Sequence, residues 1–146
     1  MTTRNSPSPA LEGGVRECAD DTVRVEPEVR AEVEAVLREG ESLLKGPCLS
    51  HCHLWFYRDA IEASIAAAQW DLGSRYADAL EAYVDPEPLP WAMLIAARFR
   101  ALQGLVLDHD REPAVERLVH LRMQVKSAGL GWALAAMDVA LAQAAN

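Results

Sequence analysis

The chain has 146 residues, 51% of them hydrophobic, which suits a single domain with a sizeable core. Its 14 basic and 22 acidic residues give a net charge of −8 without a basic patch, which argues against nucleic acid and anionic membranes as partners. The chain has three cysteines, no secretory signal and no long apolar run, so we expect a soluble cytoplasmic protein.

The first 26 residues differ in composition from the rest of the chain. Serine, proline, glycine and aspartate punctuate this segment, and its few large apolar side chains cannot offset the entropy lost on ordering. We predict that residues 1–26 form a disordered leader and that residues 27–146 form the folded domain.

Helical spacing of apolar residues begins at Pro27, which suits a first turn. Gly40 is the expected point of any interruption in this first helix, and Gly46 and Pro47 mark its end. We predict that the second helix starts at Ser50 as its N-cap and that the third starts at Asp71. The short connection between these two helices forces them to run antiparallel.

A proline-rich break at residues 85–90 precedes a second helix pair. The fourth helix carries an apolar stripe, the fifth ends near Gly129, and a last helix from Leu130 to about Ala144 closes the domain. A lone pair cannot bury both of its apolar faces, so neighbouring pairs must stack. The predicted fold is therefore all-α, with about six helices in antiparallel pairs stacked as a divergent tetratricopeptide-like α-solenoid.

The tryptophans support a repeated unit. Trp55, Trp91 and Trp132 each lie near the start of a predicted helix, at intervals close to the ~34-residue period of tetratricopeptide repeats.

Part of the sequence resembles a known family. The segment LWFYRDAIE at residues 54–62, followed by Trp70-Asp71, Arg75-Tyr76-Ala77 and EPLPW at residues 87–91, is similar to the C-terminal tetratricopeptide-like region of large bacterial cyclase–ATPase signalling proteins. Those proteins combine a class III adenylate/guanylate cyclase domain, an ATPase domain and helical repeats, and the resemblance covers about residues 30–145. Since nothing here resembles the cyclase domain, the resemblance implies a non-enzymatic module, either stand-alone or truncated.

A cluster of potential metal ligands lies near the start of the second helix. Cys48, His51, Cys52 and His53 are residue types that zinc or copper binds. Structural zinc sites usually combine two separated ligand pairs, whereas adjacent residues on a helix point in diverging directions. We therefore expect packing and capping roles and predict no metal or other cofactor. A bundle that binds a small ligand or metal through this cluster is the alternative function.

No catalytic residue is predicted. Asp59 and Glu62 lie one turn apart, but Arg58, four residues before Glu62, favours an ordinary surface ion pair. The sequence also lacks phosphate-loop, zincin and nucleophile-elbow motifs.

In tetratricopeptide stacks the first helix of each pair lines the concave face, so the resemblance predicts an interaction surface there. Its residues are Trp55, Arg58, Glu62, Trp91 and Arg98. Aromatic and arginine side chains often anchor interfaces, although the tryptophans could instead belong to the core. We expect a protein or peptide partner, and self-association is a further possibility because the ends of the array are incompletely covered.

Overall fold

The computed structural model describes residues 25–107 and 111–145 of the chain. Within these ranges it contains six α-helices, one short 3₁₀-helix and no strand, which confirms the predicted all-α class and the helix number. The helices are α1 (Pro27–Leu44), α2 (Ser50–Ala66), α3 (Trp70–Val84), α4 (Pro90–Leu107), α5 (Arg111–Ser127) and α6 (Leu134–Ala144), with the 3₁₀-helix at Gly131–Ala133.

The predicted leader, residues 1–26, lies outside the described residues except for Val25 and Glu26, which precede α1. Across the described ranges, each helix is too short or too polar to span a lipid bilayer.

Helix α4 is at the centre of the packing. Each helix packs against the next one along the chain, and α4 also contacts α2 and α6. The core face of α4 contains three alanines among its larger side chains, so its neighbours can approach closely. The buried residues of α4 are Ala92, Ile95, Ala96, Arg98, Phe99, Ala101, Leu102 and Leu105.

Two glycines allow aromatic rings to pack directly against helix backbones. Helix α1 continues through Gly40, where an added Cβ atom would lie 2.3 Å from the Phe56 ring. The expected interruption at Gly40 is therefore wrong, because this glycine makes room for a neighbouring side chain. Gly73 of α3 likewise makes room for the Phe99 ring of α4, because an added Cβ atom would lie 2.2 Å from that ring.

The predicted N-caps also need correction. Leu49 is the N-cap of α2 and Ser50 is its first residue, while Gln69 is the N-cap of α3. The Gln69 side chain donates a hydrogen bond to the carbonyl oxygen of Arg30 at 3.2 Å, which ties this end of α3 to α1. Asp71 lies in the first turn of α3, where its carboxylate can stabilise the positive end of the helix dipole.

Helices α2 and α5 end in the same backbone motif. After α2, the N–H of Ala68 bonds to Ile65 and the N–H of Gln69 bonds to Ser64, which is the Schellman pattern. After α5, Gly129 and the following residue repeat this pattern, and Gly129 ends the helix as predicted. The left-handed position holds Ala68 with φ 51° in the first motif and Gly129 with φ 73° in the second.

We expect Ala68→Gly to stabilise the protein by about 0.5–1 kcal/mol, because relief of the left-handed strain of alanine exceeds the entropy that glycine adds to the unfolded chain. Gly129→Ala should destabilise the protein by about 1 kcal/mol for the converse reason. Urea denaturation of both variants measures these changes. A loss of stability in Ala68→Gly equal to that in Gly129→Ala would contradict the assignment.

Candidate functional site

Helix α2 presents three of the predicted site residues along one face. Trp55, Arg58 and Glu62 are three or four residues apart, so their side chains follow one another on the same side of the helix. Trp55 is 55% exposed, although large aromatic side chains are usually well buried. The Cζ atom of Arg58 lies 4.6 Å from the centroid of the Trp55 ring, within the range of a cation–π interaction.

A second indole reaches Arg58 from a segment that is distant in sequence. Trp132, in the 3₁₀-helix before α6, has its ring centroid 5.5 Å from the Cζ atom of Arg58. Its side chain is also exposed, at 47%. We refer to these residues as the Trp55–Arg58–Trp132 cluster. Trp132 was not among the predicted site residues, and the regular spacing of the tryptophans was its only sequence signal.

The ion pairs of α2 differ from the predicted one. Arg58 donates through Nε to the Oδ1 atom of Asp59 at 2.7 Å, and its Nη2 atom lies 2.7 Å from the same oxygen in an ion pair. The expected Arg58–Glu62 pair is therefore wrong. Because the Asp59 side chain is exposed, water competes for this contact and a binding partner could displace it.

Glu62 instead pairs with Arg98, which belongs to the core. The Nη1 and Nη2 atoms of Arg98 donate to Oε1 and Oε2 of Glu62 at 2.5 and 3.2 Å. The Arg98 side chain is only 1% exposed, and that of Glu62 is 29% exposed. Arg98 therefore cannot reach a partner at the surface, which corrects its predicted role. The Nε atom of Arg98 has no hydrogen-bond partner within the described ranges. The interaction with the Glu62 carboxylate therefore offsets most of the desolvation cost of burying this charge.

The exposure of Trp91 is intermediate between that of Trp55, which is exposed, and that of Arg98, which is buried. It is half-buried at the start of α4 and packs against the hydrophobic core. Its position therefore agrees better with the alternative interpretation of this tryptophan as a core residue than with a role as an exposed anchor.

The cysteine–histidine segment does not assemble a metal site in the described part of the chain. The Sγ atom of Cys48 lies 3.7 Å from Nδ1 of His53, but no group of three or more potential ligands comes together within residues 25–107 and 111–145. The imidazole of His53 stacks on the Tyr83 ring, with centroids 5.1 Å apart. These contacts give His53 a packing partner on α3.

Removing the carboxylate of Glu62 tests the Arg98 pairing. We expect Glu62→Ala to lower the free energy of unfolding by about 3 kcal/mol, since a buried guanidinium would lose its counter-charge. Replacing both partners, as Glu62→Ala with Arg98→Met, should restore most of the loss. Asp59→Ala, at an exposed pair, is the matched control and should cost less than about 1 kcal/mol. Equal losses for Glu62→Ala and Asp59→Ala in urea denaturation would contradict this account.

Comparison with known proteins identified no similar protein. No protein-family model matches the sequence, and no curated protein or solved structure matches it either.

Proposed function

We propose that this chain is a non-enzymatic helical-repeat module that binds a protein or peptide segment at the Trp55–Arg58–Trp132 cluster. The observation that supports it most is the position of Arg58 between two exposed indoles that come from distant parts of the chain. Tryptophan and arginine are among the residue types that contribute most to binding energy at interfaces.

The helix contacts support a tetratricopeptide-like arrangement as part of this proposal. If α2–α3 and α4–α5 are the helix pairs and α6 begins a third, then the contacts of α4 with α2 and α6 join the first helices of successive units. The paired contacts of Gly40 with Phe56 and of Gly73 with Phe99 also recur between one unit and the next. Such stacking places the first helices along one face, where the cluster lies.

The geometry of the cluster would keep the entropic cost of binding low. Arg58 is held by two rings and by Asp59, so its side chain would lose little freedom on contact with a partner. Its planar guanidinium could donate to a carbonyl or carboxylate of the partner in place of Asp59. The exposed faces of Trp55 and Trp132 would then cover apolar side chains of the same segment.

We also propose that the module derives from, or is related to, the C-terminal region of cyclase-type signalling proteins. The residues that carry this resemblance include LWFYRDAIE at 54–62, which contains Trp55, Arg58 and Glu62. The module itself would contribute binding and not catalysis.

Peptides selected from a random display library with the purified protein provide a defined probe of the proposed surface. Trp55→Ala combined with Trp132→Ala should lower the affinity for a selected peptide about thirtyfold, which corresponds to a loss of ~2 kcal/mol of binding free energy, as at interface hot spots. Arg58→Ala should weaken it in the same direction. Fluorescence polarisation measures binding, and circular dichroism on heating checks that each variant folds.

The matched control is Val119→Ala with Met123→Ala, which removes exposed apolar side chains from α5. This variant should bind the selected peptides as tightly as the unchanged protein. The proposal fails if the peptides bind the Trp55→Ala, Trp132→Ala protein without loss, or if both double variants weaken binding equally.

A second copy of the chain is the other candidate partner, and helix α1 favours it. Val29, Val36 and Leu43 are exposed at seven-residue intervals, so they form one apolar stripe that two copies could bury against each other. We expect light scattering to detect a dimer at high concentration and Val36→Glu to abolish it. Met123→Glu is the control and should leave the dimer intact. A strict monomer throughout would exclude this mode.

A further inference from the structure

A cleft of 390 Å³ lies among α1, α2 and α3, away from the Trp55–Arg58–Trp132 cluster. Its polar and aromatic lining comprises Glu41, Lys45, His53, Tyr57, Arg75 and Tyr76. A helix turns by roughly 100° per residue, so His53 and Tyr57 lie on the side of α2 opposite Trp55. The volume falls within the range of small-molecule sites, ~300–1,000 Å³.

The cleft gathers positive charge in an acidic protein. Lys45 and Arg75 face a single carboxylate, that of Glu41, whereas the whole chain carries a net charge of −8. His53 adds an imidazole to the same lining. A local excess of cations within an acidic surface attracts small anions in preference to large polyanions, which the rest of the surface repels.

Arg75 is held in position but keeps donors for a ligand. Its Nη2 atom donates to Oε1 of Glu41 at 3.0 Å and to the hydroxyl of Tyr76 at 3.1 Å. The guanidinium also lies 5.0 Å from the centroid of the Tyr76 ring. Both of these hydrogen bonds use Nη2, and the side chain is 58% exposed, so its other N–H groups can reach a bound oxyanion.

The two tyrosines keep their hydroxyl protons over the whole physiological range. Burial, followed by the nearby Glu41 carboxylate and Tyr83, raises the pKa of Tyr57. Burial also dominates the shift that raises the pKa of Tyr76 to about 12, to which a hydrogen bond with Glu41 adds. Both groups therefore remain neutral phenols. The Tyr57 hydroxyl can donate a hydrogen bond to an anion, whereas Tyr76 is buried and its hydroxyl interacts with Glu41 and Arg75.

Ring contacts hold the walls of the cleft in place. Tyr57 packs edge-on against Phe56, and Phe56 packs edge-on against Tyr76, with centroid separations of 5.8 and 5.7 Å. His53 is stacked on Tyr83, whose hydroxyl donates to the carbonyl oxygen of Ser50 at 2.9 Å. Such preordered aromatic surfaces are suited to the flat or apolar body of a small organic molecule.

We propose that this cleft binds a small organic anion, with its phosphate or carboxylate group on Lys45 and Arg75 and its body against the rings of Tyr57 and His53. This site shares no residue with the proposed protein-binding surface, because the two use opposite sides of α2. It also differs from the metal-binding alternative, since its ligand contacts come from α1 and α3 as well as from His53.

The probes for this site are phenyl phosphate, benzoate, inorganic phosphate and benzyl alcohol, titrated into the ¹⁵N-labelled chain and followed by NMR. Phenyl phosphate or benzoate should shift the amides of residues 41–45, 53–57 and 75–79 in a saturable manner. The tighter of the two identifies the preferred oxyanion. Inorganic phosphate should bind the same residues more weakly because it lacks the ring, and benzyl alcohol should shift none of them.

Lys45→Gln is the cleanest variant, since it removes a charge from the exposed end of α1. This variant should weaken binding of the organic anion about tenfold, as expected for the loss of one charged hydrogen bond. Lys126→Gln, at the end of α5, is the matched control and should leave the affinity unchanged.

Three results would overturn the proposal: no saturable shifts in these segments, equal weakening by Lys45→Gln and Lys126→Gln, or benzyl alcohol binding as tightly as the anions. The Trp55→Ala, Trp132→Ala protein should still bind the anion, and Lys45→Gln should still bind the selected peptides. Failure of one proposal is therefore distinguishable from failure of the other.

Discussion

The burial of one positive charge on the central helix constrains much of this structure. Arg98 belongs to α4, which packs against four other helices, and its guanidinium is almost completely removed from water. Such a charge is tolerable only with a well-placed counter-charge, and Glu62 supplies two carboxylate oxygens for it. A two-point contact fixes both the spacing and the rotation of α2 relative to α4. The direction in which Arg58 and Trp55 point, one and two turns before Glu62 on α2, follows from that rotation.

Helix α2 contributes residues to two separate surfaces. One side carries the Trp55–Arg58–Trp132 cluster, and the other contributes His53 and Tyr57 to the cleft beside α1 and α3. Further along α2, on the same side as His53 and Tyr57, Ala60, Ile61 and Ser64 are buried in the core. Since α2 is packed as one rigid element, a change in its rotation would alter both surfaces together.

The elements of the fold were accessible from sequence because prolines, glycines and apolar spacing act locally. Pro27 and Pro90 do begin helices, and Gly129 does follow the end of α5. The errors arose where the outcome depends on residues distant in sequence. Gly40 is a helix breaker by propensity, yet a ring from α2 fills the space above it. An arginine is normally exposed, and only the three-dimensional position of Glu62 permits the burial of Arg98.

The site was predicted in part for the same reason. Trp55, Arg58 and Glu62 share a helix face, and the helical period alone indicates that they are neighbours. The contact between Arg58 and Trp132 depends on how α3, α4 and α5 stack between them, which no local pattern specifies. The contact between Arg58 and Trp132 has a thermodynamic consequence. A ligand that touches both α2 and the segment before α6 binds only the fully assembled array, so its binding free energy adds to the cooperativity of folding across the whole chain.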